Sequence, residues 1–276
     1  MSDIRNTRLI CMDMDGTLFA GHETIPEINI QALRECEKRG IRIALVSGRN
    51  YRFLMENARK ISDSVIVVSS NGARIDDKVG GSCIYEAVFD EKDAVMTSKV
   101  LWDTQVYYEI YSKTINYGLR GELIPAHHRA SLERYLVNGH ILGCEFPDRL
   151  EDAVYTGVYK FVCFSTDPEK ITFIRDTLDA HGIVHSSSSP DNVETMALGV
   201  GKGTALRVLA RHLGIPIEDT MAFGDYTNDC DMLAACGHPV AMENGVQVLK
   251  DMAEIIAPPN TEGGVGQVIS KYVLGK

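Results

Sequence analysis

The feature that most limits how this chain folds is a set of continuous apolar runs near its start. They are RLICM (8–12), IRIALVS (41–47) and VIVVSS (65–70), with a helical pattern between each pair. A strand that stays apolar without alternation is buried on both faces, as happens in a parallel sheet covered by helices on each side. Pro26 opens the first intervening helix, EINIQALRECEKR, and Gly40 lies just past its end, the usual start and stop signals. A second helix is expected over 50–60. This β-α-β-α-β order implies parallel strands joined by right-handed crossovers. The alternation resumes after the SSSSPDN loop at 186–192. KGTALRVLARHLG is helical, TMAFGD a strand, 227–236 a helix and HPVAM a strand, followed by a helix, the strand EIIA and a last helix.

The stretch between differs. From about 79 to 190 the strands are richer in Tyr and Thr, as in QVYYEIYS and VYTGVYKFVCFS, and helices are expected near 90–101, 125–137 and 168–180. The expected architecture is therefore an α/β protein. A Rossmann-like parallel-sheet core with helices on both faces is built from 1–80 and 190–276, and an α+β domain is inserted over 81–189. A chain of 276 residues, 45% of them hydrophobic, has enough apolar material for such a core. A net charge of -10 argues against general nucleic-acid binding, which needs clustered Lys and Arg. No apolar run approaches the ~20 residues that span a bilayer, and the N-terminus lacks a signal-peptide pattern. The seven cysteines are scattered through apolar stretches with no CxxC pairing, which points to a reduced, cytoplasmic protein.

Polar residues then appear where the strands stop. RLICM runs into Asp13, Asp15 and Gly16. In open α/β sheets ligands bind beyond the carboxyl ends of the strands, although an acidic turn around Asp-Gly is a common structural feature too. IRIALV ends in Ser47, Gly48 and Arg49; a hydroxyl with free amides at such a turn suits a phosphate oxygen, or simply caps the next helix. TMAFG delivers Asp225, with Asn228 and Asp229 following. Carboxylates from adjacent strands suit a hard cation such as Mg²⁺, whereas an acidic helix start accounts for Asp229 alone. Lys202 opens a helix, where a cation is disfavoured by the dipole unless an anion lies nearby. GKGT resembles part of a phosphate-binding P-loop, but Met196 stands where that motif needs a glycine.

In this order the residues resemble the four-motif signature of the haloacid dehalogenase superfamily of phosphatases. DMDGTL matches motif one, VSGR motif two, Lys202 motif three and GDYTND motif four. SSNGA (69–73), VAMENGVQVLKDMAE and NTEGGVGQVI resemble the Cof-like branch, whose large α+β cap lies between motifs two and three. The chain departs from that branch at Gly201, where Ser is usual, and at Glu243, Asn244 and Gly245, where Gly-Asn-Ala is usual.

The resemblance implies a Mg²⁺-dependent phosphomonoesterase acting on a small phosphorylated metabolite, of sugar phosphate, pyridoxal phosphate or flavin mononucleotide type, under a closing cap. By the same resemblance Asp13 is the nucleophile that forms an aspartyl-phosphate and Asp15 the acid and base. Ser47, Gly48, Lys202 and Gly16 hold the phosphate, and Arg49, Asn71 and Asn228 are candidate substrate contacts. The metal falls to Asp13, Asp225 and Asp15 through its backbone carbonyl, with Asp229 as a further candidate. Two unit charges ~4 Å apart at an effective dielectric of about 20 interact by ~4 kcal/mol, a repulsion that a divalent cation and Lys202 would offset. No nucleic-acid or membrane partner is expected, and the oligomeric state is left open. Two alternatives stand beside this: a phosphotransferase or phosphomutase on the same core, and a catalytically silent metabolite-binding protein.

Overall fold

β1 (Leu9–Met12) has no exposed side chain at all, and it lies inside an eight-stranded sheet between β2 (Arg42–Val46) and β14 (Thr220–Gly224). This is seen in a computed structural model of the chain, which describes residues 3–21, 24–113, 116–126, 128–129, 136–137, 140–141 and 144–276. The chain divides into two compact units, Met1–Glu86 with Val200–Lys276, and Ala87–Gly199.

In the first unit, β3 (Ile66–Ser69), β15 (His238–Met242) and β16 (Ile255–Ala257) extend the sheet, and β1, β2, β3, β14, β15 and β16 all run parallel. One face packs on α5 (Lys202–Leu213), α6 (Cys230–Ala235) and α7 (Gln247–Met252), where Leu9, Cys11, Ala44, Val46, Ile66 and Val68 meet Leu206, Leu209 and Leu249. Over the other face, α1 (Glu27–Lys38) packs on β2 and α2 (Tyr51–Ile61) packs on β3. The two-sided cover is why these strands carry unbroken apolar runs. The parallel order gives way at one edge, where β4 (Arg74–Asp76) and β5 (Cys83–Glu86) are antiparallel. Only a tight turn, 70–73, separates β3 from β4, and a parallel return needs a crossover of a dozen residues or more.

The second unit has a six-stranded sheet in the order β10-β7-β6-β11-β13-β12, antiparallel except for the pairing of β10 (Cys144–Glu145) with β7 (Asn116–Leu119). Its central strands are β6 (Tyr107–Ser112), β11 (Val158–Phe164) and β13 (Asn192–Met196), with β12 (Val184–Ser186) at one edge. Tyr108, Ile110, Phe161, Cys163 and Val193 pack against α3 (Glu91–Asp103) and α4 (Pro168–Ala180) through Ala94, Leu101, Ile171, Ile174 and Leu178. Alternation then sends Tyr107, Glu109, Lys160 and Glu194 to the opposite face.

Two boundaries differ from the sequence expectation. β5 keeps the first unit's sheet going beyond residue 80, and Asn192–Met196, expected to lie in the core, pairs with β11 inside the inserted sheet. The helix expected over 125–137 falls largely outside the described residues, but Leu136–Val137 (β8) is a strand that pairs with His140–Ile141 (β9). No helix among the described residues is long and apolar enough to cross a membrane.

Candidate active site

The apolar run of β1 stops at Asp13, whose backbone N–H still donates to the Phe223 carbonyl and so continues the ladder to β14. Asp13 is thereby fixed at the strand's carboxyl end, with 6% of its surface exposed. Lys202, the first residue of α5, lies fully buried beside it. Its Nζ donates to Asp13 Oδ1 and to Asp229 Oδ1, both at 2.6 Å. Tight packing aims the lysine: a Cβ on Gly72 would collide with the Gly201 carbonyl, and Asp231 Oδ2 accepts from the Gly203 N–H at 2.8 Å. That carboxylate at the helix start offsets the unfavourable placement of a cation there.

Asp225 follows β14. Its Oδ1 accepts from the Thr17 hydroxyl at 2.7 Å, while its own N–H and that of Tyr226 donate to Asp229 Oδ2 at 3.1 and 3.3 Å. Both Asp229 oxygens are therefore engaged, and that residue ties Lys202 to the Asp225 turn. Burial favours the neutral amine of Lys202, but Asp13 and Asp229 outweigh it and hold the lysine protonated, above its ordinary range. Burial pushes Asp13 well up, against the pull of Lys202, and the neighbouring aspartates add to the rise. Burial and Asp229 push Asp225 up to about 7 despite the Thr17 hydrogen bond.

The carboxylate oxygens of Asp13, Asp225 and Asp229 lie within 4.8 Å of one another. Three carboxylates against one lysine leave an excess of negative charge in a buried place, which is costly without a further cation. Among the described residues, Asp13 Oδ2 and Asp225 Oδ2 are the oxygens of this trio without a hydrogen-bond donor. Gly16 adopts φ +81°, and a Cβ there would collide with the Asp225 carboxylate, so glycine brings the backbone of the Met14–Leu18 turn against the same spot. Hard oxygen donors, few in number and short of positive charge, fit a divalent ion such as Mg²⁺.

The Asp15 carboxylate points elsewhere. It forms a two-pronged pair with Arg49, at 3.0 Å to Nε and 2.9 Å to Nη2, and the guanidinium also lies 4.6 Å from the Phe53 ring centre. Ser47, buried at the end of β2, accepts from the Arg49 N–H at 3.2 Å. The turn Ser47-Gly48-Arg49 is tied to the next strand end, since Asn71 and Ser70 N–H groups donate to the Ser47 and Arg49 carbonyls. Ser70 and Asn71 take φ of 51° and 57°, left-handed values that non-glycine residues hold only under local constraint. Asn228 lies half-buried in the short turn Thr227–Asp229, next to the acidic group. The structure thus gathers Asp13, Asp225, Asp229 and Lys202 into one cluster and pairs Asp15 with Arg49 on the neighbouring turn.

Sequence reasoning missed Thr17, Asp231 and three asparagines that hold the Met14–Leu18 turn. Asn244 donates to the Gly16 carbonyl at 2.8 Å, Asn29 to that of Leu18 at 3.2 Å and Asn260 to that of Phe19 at 2.6 Å. Thr17 and Asn244 lie in segments that carry the family resemblance, DMDGTL and VAMENG, which was the available signal. Nothing local marks Asn29, which sits in a helix.

The profile of the haloacid dehalogenase-like hydrolase family matches residues 10–269, nearly the whole chain. The chain belongs to the haloacid dehalogenase-like hydrolases. Within that superfamily it falls in the Cof-like branch. It is 28% identical over 273 residues to a Bacillus subtilis protein named 5-amino-6-(5-phospho-D-ribitylamino)uracil phosphatase, covering 97% of this chain and 96% of that one. It is 26% identical to an HMP-PP phosphatase of Enterobacter, covering 90% and 89%. Among solved structures, a haloacid dehalogenase-like hydrolase from B. subtilis matches with a TM-score of 0.83 and 27% identity over 96% of this chain and 99% of that one. This member of the haloacid dehalogenase-like hydrolases is an enzyme of the phosphoric monoester hydrolase class.

Proposed function

We propose that the chain is a Mg²⁺-dependent phosphatase of small phosphorylated metabolites that works through an aspartyl-phosphate on Asp13. The observation that carries this is the buried Lys202, bonded at 2.6 Å to both Asp13 and Asp229 while Asp225 completes the carboxylate trio. Lys202 positions the Asp13 carboxylate and offers a cation to phosphate oxygens, and the Ser47 hydroxyl with the Gly48 and Gly16 amides offers neutral donors. Asp13 and Asp225 would hold the ion with the Asp15 backbone carbonyl, and Asp229 would support them by fixing Asp225 and Lys202. A bound divalent cation would shield the phosphate from the carboxylates and stabilise charge on its oxygens.

In the first step an Asp13 oxygen bonds to phosphorus, the bond from phosphorus to the leaving oxygen breaks, and Asp15 gives that oxygen its proton. In the second, Asp15 takes a proton from water, the water oxygen bonds to phosphorus, and the bond to Asp13 breaks, releasing phosphate and restoring the enzyme. The Asp15–Arg49 pair must open for this work, so Arg49 is placed to exchange the Asp15 carboxylate for the substrate phosphate. A relative's name supports phosphorylated ribityl compounds as the substrate class, and sugar phosphates, pyridoxal phosphate and flavin mononucleotide follow from the family resemblance. The test is phosphate release across such a panel with and without Mg²⁺. Turnover that needs Mg²⁺ and vanishes in Asp13→Asn is expected. Turnover untouched by EDTA would remove the metal, and full activity in Asp13→Asn would remove the nucleophile.

A further inference from the structure

At the far end of the first unit's sheet from Asp13 lies an open cavity of about 250 Å³. The starts of β2, β3 and β5, the end of β4 and the last turn of α5 line it. Ile66, Leu209 and Leu213 give it an apolar floor, and Arg42, Lys78 and His212 stand around it. Register explains the convergence: Arg42 pairs with Leu9 at the start of β2 and, by alternation, shares the face of Ala44 and Val46 that packs against α5. Among the described residues, none of these three side chains has a hydrogen bond or ion pair. The acid that lines the cavity, Asp77, already accepts the Ser82 N–H at 2.9 Å, and Ser64 on the rim donates to Glu37. The α5 C-terminus carries a partial negative charge that Arg42 and Lys78 must outweigh, although its Ala210 and Arg211 carbonyls are already taken by Ile215 and Gly214 N–H groups.

On a chain of net charge -10, uncommitted cations gathered over an apolar floor need an explanation. We infer that this cavity binds a small organic anion, with a phosphate, phosphonate or carboxylate head between Arg42, Lys78 and His212 and an apolar body on Ile66, Leu209 and Leu213. Its volume lies just below the usual range for drug-sized ligands, about 300–1,000 Å³, so the body is no larger than one ring. The site is separate from Asp13 but joined to it by one element. α5 is a 12-residue helix with Lys202 at its first position and Leu213 at its last. At about 1.5 Å per residue this is a rod of roughly 18 Å, so a ligand at one end bears on the helix that carries Lys202 at the other. The inference does not depend on the phosphatase reading.

Phenylphosphonate is a suitable probe, because its P–C bond leaves no ester to hydrolyse. Titrated into the full chain, it should shift the methyl resonances of Leu209 and Leu213 saturably, and binding near Asp13 would instead be read at Met12 and Met14. Lys78→Ala should weaken the Leu209 and Leu213 response about tenfold, the size of one lost charge-assisted contact, and Arg42→Gln with Lys78→Ala should weaken it further. Lys78 is exposed, so its single variant remains informative if the double variant folds poorly. Absence of a saturable shift, or equal affinity in the Lys78→Ala protein, would overturn the site. Inorganic phosphate binding as tightly as phenylphosphonate would overturn the organic-anion class.

Discussion

The two sheets of this protein place their charged residues by different rules. Along the parallel strands of the first unit, carboxylates appear only after a strand has ended, Asp13 after β1 and Asp225 after β14, and Arg49 follows β2 in the same way. In the inserted unit it appears within strands. Glu109, Lys160 and Glu194 lie mid-strand on one face, 4%, 2% and 4% exposed, with Lys160 Nζ 3.0 Å from Glu194. Helices on both faces of a parallel sheet leave no polar side, so carboxylates there must wait for the loop, where they can meet a ligand. A sheet with helices on one face can alternate, and its polar face makes internal pairs instead. The buried carboxylates around Asp13 are short of positive charge, whereas those of the second unit, like Asp76 with Arg74 at the antiparallel edge of the first sheet, find protein partners.

The sharpest break of this comparison comes from Asp13→Asn. It should lower phosphate release by about 10³-fold or more with the fold intact by circular dichroism, since nucleophile removal is among the largest single losses known for enzymes. Next comes charge removal in each sheet. Lys160→Met leaves Glu194 buried without its cation and should cost about 3–5 kcal/mol in urea unfolding, and adding Glu194→Leu should recover most of that. Lys202→Met should cost as much without Mg²⁺ but be partly rescued by Mg²⁺, because only in the first unit would an added ion replace the lost charge.

The two units should also answer pH in opposite directions. Asp225, raised to about 7, and Asp13, also raised, keep protons in the folded metal-free chain that the unfolded chain loses near its ordinary carboxylate range. The folded state then binds more protons between about pH 4 and pH 7, so stability falls as pH rises through that window. Mg²⁺ should flatten this slope. Burial alone would raise Glu109, but hydrogen bonds from His128 and Tyr107, at 2.7 Å each, win and hold it below its ordinary value. Its contribution is complete above the ordinary carboxylate pKa and is lost as pH falls through the depressed one. Thermal melts with EDTA across pH 3–8 would show both slopes, and Glu109→Gln should remove the acid-side one alone.

The smallest expected effect is that of Asn244→Ala. Freeing the Gly16 carbonyl should cost about 1 kcal/mol and raise the Mg²⁺ concentration needed for half-maximal turnover severalfold, while a remote variant such as Lys92→Ala leaves it unchanged. An unchanged Mg²⁺ requirement would show that the turn holds its shape without this contact.

Unbroken apolar runs were enough to identify the parallel sheet, the polar residues that follow its strands nominated Asp13, Ser47 and Asp225, and a cation opening a helix nominated Lys202. The first two follow from burial, which is written into local composition. The Tyr-rich composition of QVYYEIYS set the inserted α+β unit apart in the same way, but did not reveal the partner of each polar group. What tertiary structure alone decided is pairing: that Asp229 spends both oxygens on Lys202 and the Asp225 turn, that Asp15 faces Arg49, and that Asn192–Met196 completes the inserted sheet. Among the described residues, hydrogen bonds join side chains to groups as far as 241 positions away, as Asn260 and Phe19 are. Such distances are set by how the chain packs, and no local pattern encodes them.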